Sequence, residues 1–564
     1  MQKTSEREWI IGVSYGHHES SCTALSNFGD IIFLREEWLT RVKLDFRFPK
    51  SSINYLIQNY IKNENVKTVA HFQKPLINWL SIGTSKNLSP ENYLLKIRQF
   101  KNSDLFLAKE IRKLIKQKYN LVYCPHHLSH ALSSAQFSKN KNVIYLVLDG
   151  YGDGLSGAIF DKNFNTIKEF QPNQSLGLVY SAITEWAGFV PNEDEYKVMA
   201  IAAFGKPKFE KFIGENIIRF DKDTIYINED YFNFKDVSKS ALLPKFFKDF
   251  GSKRTKSDDL LKNKNVCDVI SSFQNCIEHV VLKLIQTLTK QKKDIQIICS
   301  GGLFHNSVLV GKLNTYLKNE ILVPPCPGDP GSSIGAAFFG AIFNNWNNSN
   351  KSTTKCLDSF IGPKVEDISI YPKLFKQITS NLNDSFELSK KLLKKDDIFA
   401  VYDGIMEIGP RALGSRSLIC DALSKTAVKK LNEIIKKRES FRPLAIMLNQ
   451  KNFKKIFGNN KNTISNLYWM AQVNWTNDKN KLPFLHHDNS SRPQLVNTSK
   501  ASKIPDILKM LIDKNYILSN TSFNIAGDPM VFSVEDVYAN MIRMNIKYLY
   551  HNKCFYEAVD ENYF

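Results

Sequence analysis

The sequence predicts an α/β protein built from two domains. Strand-like and helix-like segments alternate along almost the whole chain, which favours sheets flanked by helices. Glycine-punctuated turns follow strand-like runs at Ser14–Gly16, Asp149–Gly154 and Ser300–Gly302. A polar stretch without periodicity, NNWNNSNKSTTK (344–355), reads as a linker and divides residues 1–358 from a smaller domain, 359–564.

The elements follow in order. Residues 9–34 read as two short strands around a turn, with Asn27 to Asp30 as the hairpin signal. Residues 51–63 have helical spacing, VKTVAHF (66–72) is strand-like, 92–118 reads as helix and LVYCP (121–125) as a short strand. A helix starting at HHLSH (126–130) precedes a hairpin unit over 143–170. Residues 177–205 read as helix, and 218–260 as an irregular, Lys/Phe-rich excursion. Cys267 to Thr289 has the spacing of a long amphipathic helix. IQIICS (295–300) is a strand, Asn306 to Lys318 a helix, and LVPPCPGDPGSSIGAA (322–337) a loop entering a helix. Beyond the linker, FAVYDG (399–404) and NYILSN (515–520) read as strands, Ala427 to Lys437 and Val534 to Met544 as helices.

With 564 residues the chain is long enough for two or more cores. Hydrophobic residues make up 43% and aromatic residues 12%, a globular composition. No apolar run approaches the roughly 20 residues of a membrane span, and MQKTSEREWIIGVSYG lacks a secretory h-region. Nine cysteines without CxxC spacing fit reduced thiols, so a cytoplasmic location is expected. A net charge of +20 attracts phosphates, nucleic acids or acidic surfaces. The lysines fall in many small runs (KNENVK, KKLLKKDD, KNFKK), as a composition rich in Lys, Asn and Ile produces. A solvated surface is therefore favoured over nucleic-acid binding.

His126 and His130, four apart on a helix, share a face. They read either as a helix-capping and a solvent-facing residue or, with Asp149 at the end of the next strand, as ligands of a divalent ion. No HExxH is present, which excludes the usual zinc-protease pattern. Asp329, beside a helix N-terminus, either caps that helix or joins the ion. The three glycine turns, with PGDPGSSIGAA, match the actin/hexokinase/sugar-kinase type of nucleotide fold, with Gly301, Gly302 and Asn306 as candidate nucleotide contacts.

The second domain carries EIGPRALGSRSL (407–418), IIKKRESFRP (434–443), HDNSSRPQ (487–494) and SNTSFNIAGDP (519–529). Arg411, Arg416, Lys436, Arg438 and Arg442 lie beside Gly, Pro and Phe rather than alternating with carboxylates. They read as a triphosphate or acyl-phosphate site, or as a salt-bridge network. Ser519 to Asn524 offers small polar side chains at a strand end, where open α/β sheets bind ligands.

As an ordered set these motifs, with GHHESS, REEWLTRVK (35–43), EYKVMAIAAFG (195–205) and SGGLFHNSVLVGKL (300–313), resemble the O-carbamoyltransferases of nodulation, cephamycin and aminoglycoside biosynthesis. The resemblance implies an actin/hexokinase-type N-terminal domain, like the tRNA threonylcarbamoyl-transfer subunit, and an adenylate-forming, YrdC-like C-terminal domain. It implies that carbamoyl phosphate and ATP form carbamoyl-adenylate, and that the carbamoyl group then passes to a hydroxyl of a small molecule or glycan. Arg411, Lys436, Arg442 and Arg492 would bind the phosphates, and Asn520, Ser522 and Asn524 the adenylate. His126, His130, Asp149 and Asp329 would hold iron, or magnesium or manganese. His18 is the candidate acceptor base or a turn cap, and Lys43 and Lys197 candidate charge stabilisers. Trp38, Leu44 and Ala526 depart from the family pattern, the first two bearing on the acceptor pocket. Transfer to a nucleoside or nucleic acid, and a non-catalytic nucleotide-binding scaffold, are the competing expectations. Residues 74–100 and 205–262 are expected to vary with the acceptor, and a homodimer is expected by analogy.

Overall fold

In the computed structural model the described residues are 6–16, 18–74, 104–234, 240–255, 260–290, 294–346, 356–439, 441–459, 463–477 and 482–559. The expectation on residues 74–100 therefore lies almost wholly outside them. The chain forms two compact units: Met1–Glu36 with Asp45–Leu357, and Glu37–Leu44 with Asp358–Phe564. A single cut near residue 358 leaves the eight-residue piece out of the second unit.

Unit 1 is built on one plan used twice. The first sheet contains β1 (Glu8–Ser14), β2 (Ser21–Ser26), β3 (Ile31–Arg35), β4 (Asn65–His71) and β5 (Asn120–Tyr123), in the order β3-β2-β1-β4-β5. β1, β2 and β3 form an antiparallel meander, whereas β4 and β5 continue the sheet in parallel with β1. The second sheet repeats the pattern with β6 (Val143–Gly152), β7 (Leu155–Phe160) and β8 (Thr166–Phe170) as the meander. A separate hairpin, β9 (Ile218–Asp221) and β10 (Thr224–Ile227), interrupts before β11 (Gln296–Ser300) and β12 (Ile321–Leu322), both parallel to β6. This duplicated 3-2-1-4-5 order is the actin/hexokinase-type arrangement expected from the glycine turns. The strands β1, β4 and β11 are buried along nearly their whole length, as sheets covered by helices require.

Each repeat ends in a helix that follows its fifth strand: His126–Ala135 in the first and Asp329–Phe343 in the second. The two helices approach so closely that a Cβ on Gly335 would stand 1.7 Å from the Ser129 carbonyl oxygen. Gly12 does the same for β1, where a Cβ would meet the Ser333 carbonyl at 2.0 Å. The start of one helix is thereby held near the start of the other.

Several elements differ from expectation. Residues 9–34 make three strands, because Tyr15 to Ser20 turns the chain before β2. The 177–205 helix is two, Leu176–Trp186 and Glu195–Ile201, separated by a turn through Gly188 at φ +82°. The excursion at 218–260 is more ordered than expected, with the β9–β10 hairpin and the helix Pro244–Phe250.

Among its described residues unit 2 forms a nine-stranded mixed sheet. Its strands are β13 (Phe375–Gln377), β14 (Phe399–Tyr402), β15 (Arg416–Asp421), β16 (Ala445–Leu448), β17 (Asn474–Trp475), β18 (Ser490–Leu495), β19 (Leu518–Ser522), β20 (Tyr548–His551) and β21 (Cys554–Ala558). They lie in the order β13-β21-β20-β14-β15-β19-β16-β18-β17. Ile446, Leu448, Phe453, Phe457, Leu467, Phe484 and Leu495 form one of its cores. The helix Val534–Met544 keeps the bounds expected from its sequence, because Ser533 and Asp536 form a reciprocal capping box and Asn545 ends it in the left-handed region. Among the described residues no helix is long and apolar enough to cross a membrane.

Candidate active sites in the two units

In unit 1 the two repeat-ending helices deliver their first turns to one point. His126 and Asp329 are the first residues of their helices, His130 lies one turn further on, and Asp149 projects from β6. One ligand atom from each of the four lies within 4.8 Å of the others, and all four residues are buried. His126 Nε2 is 3.0 Å from Asp149 Oδ2 and 3.3 Å from His130 Nε2, and His130 Nε2 is 3.3 Å from Asp329 Oδ1. Ligands about 2.1 Å from an ion stand about 3.0–3.4 Å apart when adjacent, so the set has the spacing of a first coordination shell.

The His130 tautomer agrees. His130 Nδ1 lies 3.1 Å from the Pro327 carbonyl, which accepts its hydrogen bond and leaves the Nε2 lone pair facing the cluster, whereas His126 Nδ1 is buried without a hydrogen-bond partner. Asp329 makes no cap bond; Gly328 occupies the N-cap position, so the capping alternative fails. The capping alternative for the histidines fails as well, since both rings are buried against the carboxylates. Burial disfavours a charged His126, but Asp149, Asp329 and Asp153 outweigh it and raise the imidazole to about 9. Two buried carboxylates so close demand positive charge, from a proton or from a metal ion. The residues present fit a divalent ion.

Two further groups build this site without having been singled out in the sequence. Asp153, at φ +49°, accepts the backbone N–H of His126 at 2.8 Å and that of Lys74 at 2.9 Å, fixing the start of the histidine helix. The repeated Asp-Gly of DGYGDG was the available signal. Gly152 leaves room for the His126 ring, as a Cβ there would stand 2.1 Å from its Cδ2.

The other unit 1 candidates are distributed differently. The amide of Gly302 donates to Asp149 Oδ1 at 2.8 Å and that of Gly301 to the Pro327 carbonyl at 2.8 Å, so both shape the cluster rather than present free N–H groups. Asn306 is the N-cap of the helix Ser307–Tyr316, and its side chain also pairs with Gln274 at 2.9 Å. Lys197 lies 3.0 Å from Asp194 and over the Phe189 ring. His18 is exposed in the turn between β1 and β2.

In unit 2 several of the cations stand within electrostatic reach of one another. Burial presses the Arg411 guanidinium well below its usual range, and Arg492 presses it further; burial and then Arg442 lower Arg492 to about 10. Arg492 Nε is buried without a hydrogen-bond partner. Lys436, almost fully buried, is lowered by burial and then by Arg438, Arg442 and Lys43. Its ammonium donates to the Ser522 carbonyl at 2.8 Å, to Asn524 Oδ1 at 2.9 Å and to the Asn524 carbonyl. Ser522 also donates to Asn524 Oδ1 at 2.5 Å. Asn520 turns its amide inward, to the Ala412 carbonyl at 2.9 Å and Gln494 Oε1 at 2.8 Å, and leaves its buried Oδ1 unsatisfied. The unit thus holds several cations raised in energy by one another, beside an unpaired N–H and an unpaired carbonyl oxygen.

Arg416 is a different case. It is fully buried and paired with the equally buried Glu407 at 3.0 Å, so it belongs to the salt-bridge alternative. Trp38 lies in unit 2 with its ring 4.2 Å from the Arg416 guanidinium carbon, so this departure from the family pattern packs against a buried ion pair there. Lys43 lies 3.1 Å from Glu37.

Taken together, these features define an actin/hexokinase-type unit that carries a candidate metal centre, joined to a second α/β unit that carries a set of interacting cations. Residues 9–338 match the model of the carbamoyltransferase N-terminus, and residues 390–558 that of the carbamoyltransferase C-terminus. The chain belongs to the carbamoyltransferase family. It is 28% identical to an uncharacterized protein of Synechocystis sp., over 96% of this chain and 95% of that one. Nodulation protein NolNO of Sinorhizobium fredii is 23% identical over 94% of this chain and 77% of its own. The 3'-hydroxymethylcephem-O-carbamoyltransferase of Amycolatopsis lactamdurans is 26% identical over 39% of this chain and 40% of its own.

Proposed function

We propose that the protein is an ATP-dependent O-carbamoyltransferase that acts on a hydroxyl of a small molecule or glycan. Unit 2 forms carbamoyl-adenylate from carbamoyl phosphate and ATP, and the unit 1 cluster serves the transfer. The observation that carries this reading is the run of cations Arg411, Arg492, Arg442 and Lys436, in which Arg492 Nε is buried without a hydrogen-bond partner. Such a run is relieved by a multiply charged anion.

The chemistry requires activation, because carbamate alone is a poor acyl donor. Water releases phosphate from carbamoyl phosphate. A carbamate oxygen then bonds to the α-phosphorus of ATP as the bond to pyrophosphate breaks. Arg411, Arg442 and Arg492 would hold the phosphates, with Lys436 adding charge from beneath the 522–524 backbone. The acceptor oxygen then bonds to the carbamoyl carbon, AMP leaves, and the acceptor proton goes to a base, for which the exposed His18 is our candidate.

His126, His130, Asp149 and Asp329 would hold a divalent ion, and their imidazole pair suits a transition ion such as iron better than magnesium. Such an ion would supply positive charge for the phosphate of the departing AMP. All nine cysteines are free thiols, which supports a cytoplasmic setting. The test is carbamoyl-phosphate-dependent exchange of labelled pyrophosphate into ATP. Exchange is expected; its absence in metal-loaded protein refutes the reading.

A further inference from the structure

The eight residues Glu37–Leu44 lie far from the rest of unit 2 in sequence and belong to it in space. The contacts of Arg41 fall on one loop and the helix that follows it. Arg41 Nη1 donates to the Met530 carbonyl at 2.7 Å and Nη2 to the Pro529 carbonyl at 3.0 Å, while Nε lies 3.0 Å from Asp536 Oδ1. The other oxygen of Asp536 accepts the N–H groups of Phe532 at 3.0 Å and Ser533 at 3.1 Å. One guanidinium thus ties two consecutive carbonyls to the carboxylate that starts the helix Val534–Met544. Trp38 adds a second hold. It is fully buried, stacks on Phe532 at 6.4 Å, and covers Arg416, which donates to the Val531 carbonyl at 3.3 Å.

The loop fastened in this way is the one that cages Lys436. Val531 N–H donates to the Phe523 carbonyl at 3.1 Å, closing the loop at its base, and the Asn524 amide donates to the Asp528 carbonyl at 2.6 Å across it. The ammonium of Lys436 is held by Ser522 and by both oxygens of Asn524. A loop free at 529–530 would let these oxygens shift and carry the ammonium with them.

We propose that Arg41 is a positioning residue for the phosphate-binding cations of unit 2: from a segment near the start of the chain it fixes the 523–531 loop, and through it the place of Lys436. The inference rests on the proposed adenylation, and its ligand class is the phosphate groups of ATP and carbamoyl phosphate. Only a planar fork satisfies two neighbouring carbonyls and a carboxylate at once; a lysine offers a single point of charge. The consequence is on ground-state binding of phosphate rather than on bond making.

The experiment measures ATP–pyrophosphate exchange in the full-length protein and in its Arg41→Ala and Arg41→Lys variants, with thermal melting as the folding control. Arg41→Ala is expected to raise KM for ATP and carbamoyl phosphate at least tenfold with kcat within threefold of wild type. Arg41→Lys is expected to raise KM threefold to tenfold at nearly unchanged Tm, and it carries the test if the alanine variant does not fold. KM equal to wild type in a folded variant overturns the inference, as does a loss confined to kcat. Absence of exchange in the wild type refutes the adenylation reading itself, and this inference with it.

Discussion

Gly152→Ala probes the unit 1 cluster through packing alone, without replacing a ligand. A Cβ at this position would stand 2.1 Å from Cδ2, 2.3 Å from Cγ and 2.5 Å from Nε2 of His126. Carbon atoms rest at about 3.5 Å, so relief requires a displacement of roughly 1.4 Å. His126 is fully buried, 5.3 Å from the Phe72 ring centroid and 4.9 Å from that of His127, so its ring has little space to retreat. Metal sites tolerate ligand shifts of only about 0.2 Å. The expected result is a divalent-ion affinity at least a hundredfold weaker, read by titration calorimetry and by metal content after dialysis. The overpacking itself is expected to destabilise by about 1–3 kcal/mol. Gly154→Ala separates the two effects. Gly154 has φ +85° with nothing within 4 Å of its Cβ position, so alanine there costs about 1–2 kcal/mol of backbone strain and leaves His126 alone. If Gly152→Ala binds the ion within threefold of wild type, or if Gly154→Ala loses it equally, the steric argument is wrong.

Lys436→Ala leaves three oxygens of the 522–524 segment without their donor, and pyrophosphate exchange is expected to fall at least a hundredfold; exchange within tenfold of wild type removes Lys436 from the phosphate site. His130→Ala is expected to keep exchange within threefold while carbamoyl transfer to an acceptor falls at least a hundredfold, so equal effects on both steps refute the division of labour. Asp488 tests the energetics of unit 2. Burial raises its carboxyl, but His486, Ser490 and the Trp475 indole outweigh burial and lower it from 3.8 to about 2. A depressed carboxyl contributes stability above its unfolded value that is lost as pH falls toward its folded one, here between about pH 4 and 2. Asp488→Asn is therefore expected to lose about 2 kcal/mol at pH 7, with the difference from wild type narrowing through that window. Melting curves followed by circular dichroism check this; a difference that does not change with pH refutes it.

How much of this was legible in the sequence depended on how local each signal was. His126, His130 and Asp149 fall within 24 positions of one another on a helix and the strand after it, and spacing alone aligns two of them. Asp329 joins them because the fold repeats itself, and the repeat shows in strand order rather than in residue identity. Asn306 shows the opposite: Asn before a helix serves a nucleotide or an N-cap equally well, and here it also pairs with Gln274, whose partnership no local pattern announces. The same holds for Arg411 and Arg416. They share a motif, yet Arg416 has a buried carboxylate beside it while burial and Arg492 dominate the surroundings of Arg411. Trp38 was the least legible, since its partners come from the opposite end of the chain.

That remoteness has a consequence for biosynthesis. Arg41 and its acceptor at Met530 are 489 residues apart. At ribosomal speeds of about 5–20 residues per second, the N-terminal piece emerges roughly 25–100 s before the backbone that receives it exists. Through that interval the Trp38 indole has no mature pocket, and an exposed aromatic on a nascent polypeptide is a natural handle for holdase chaperones. Fast translation, or a holdase occupying that tryptophan, should raise the yield of correctly closed enzyme.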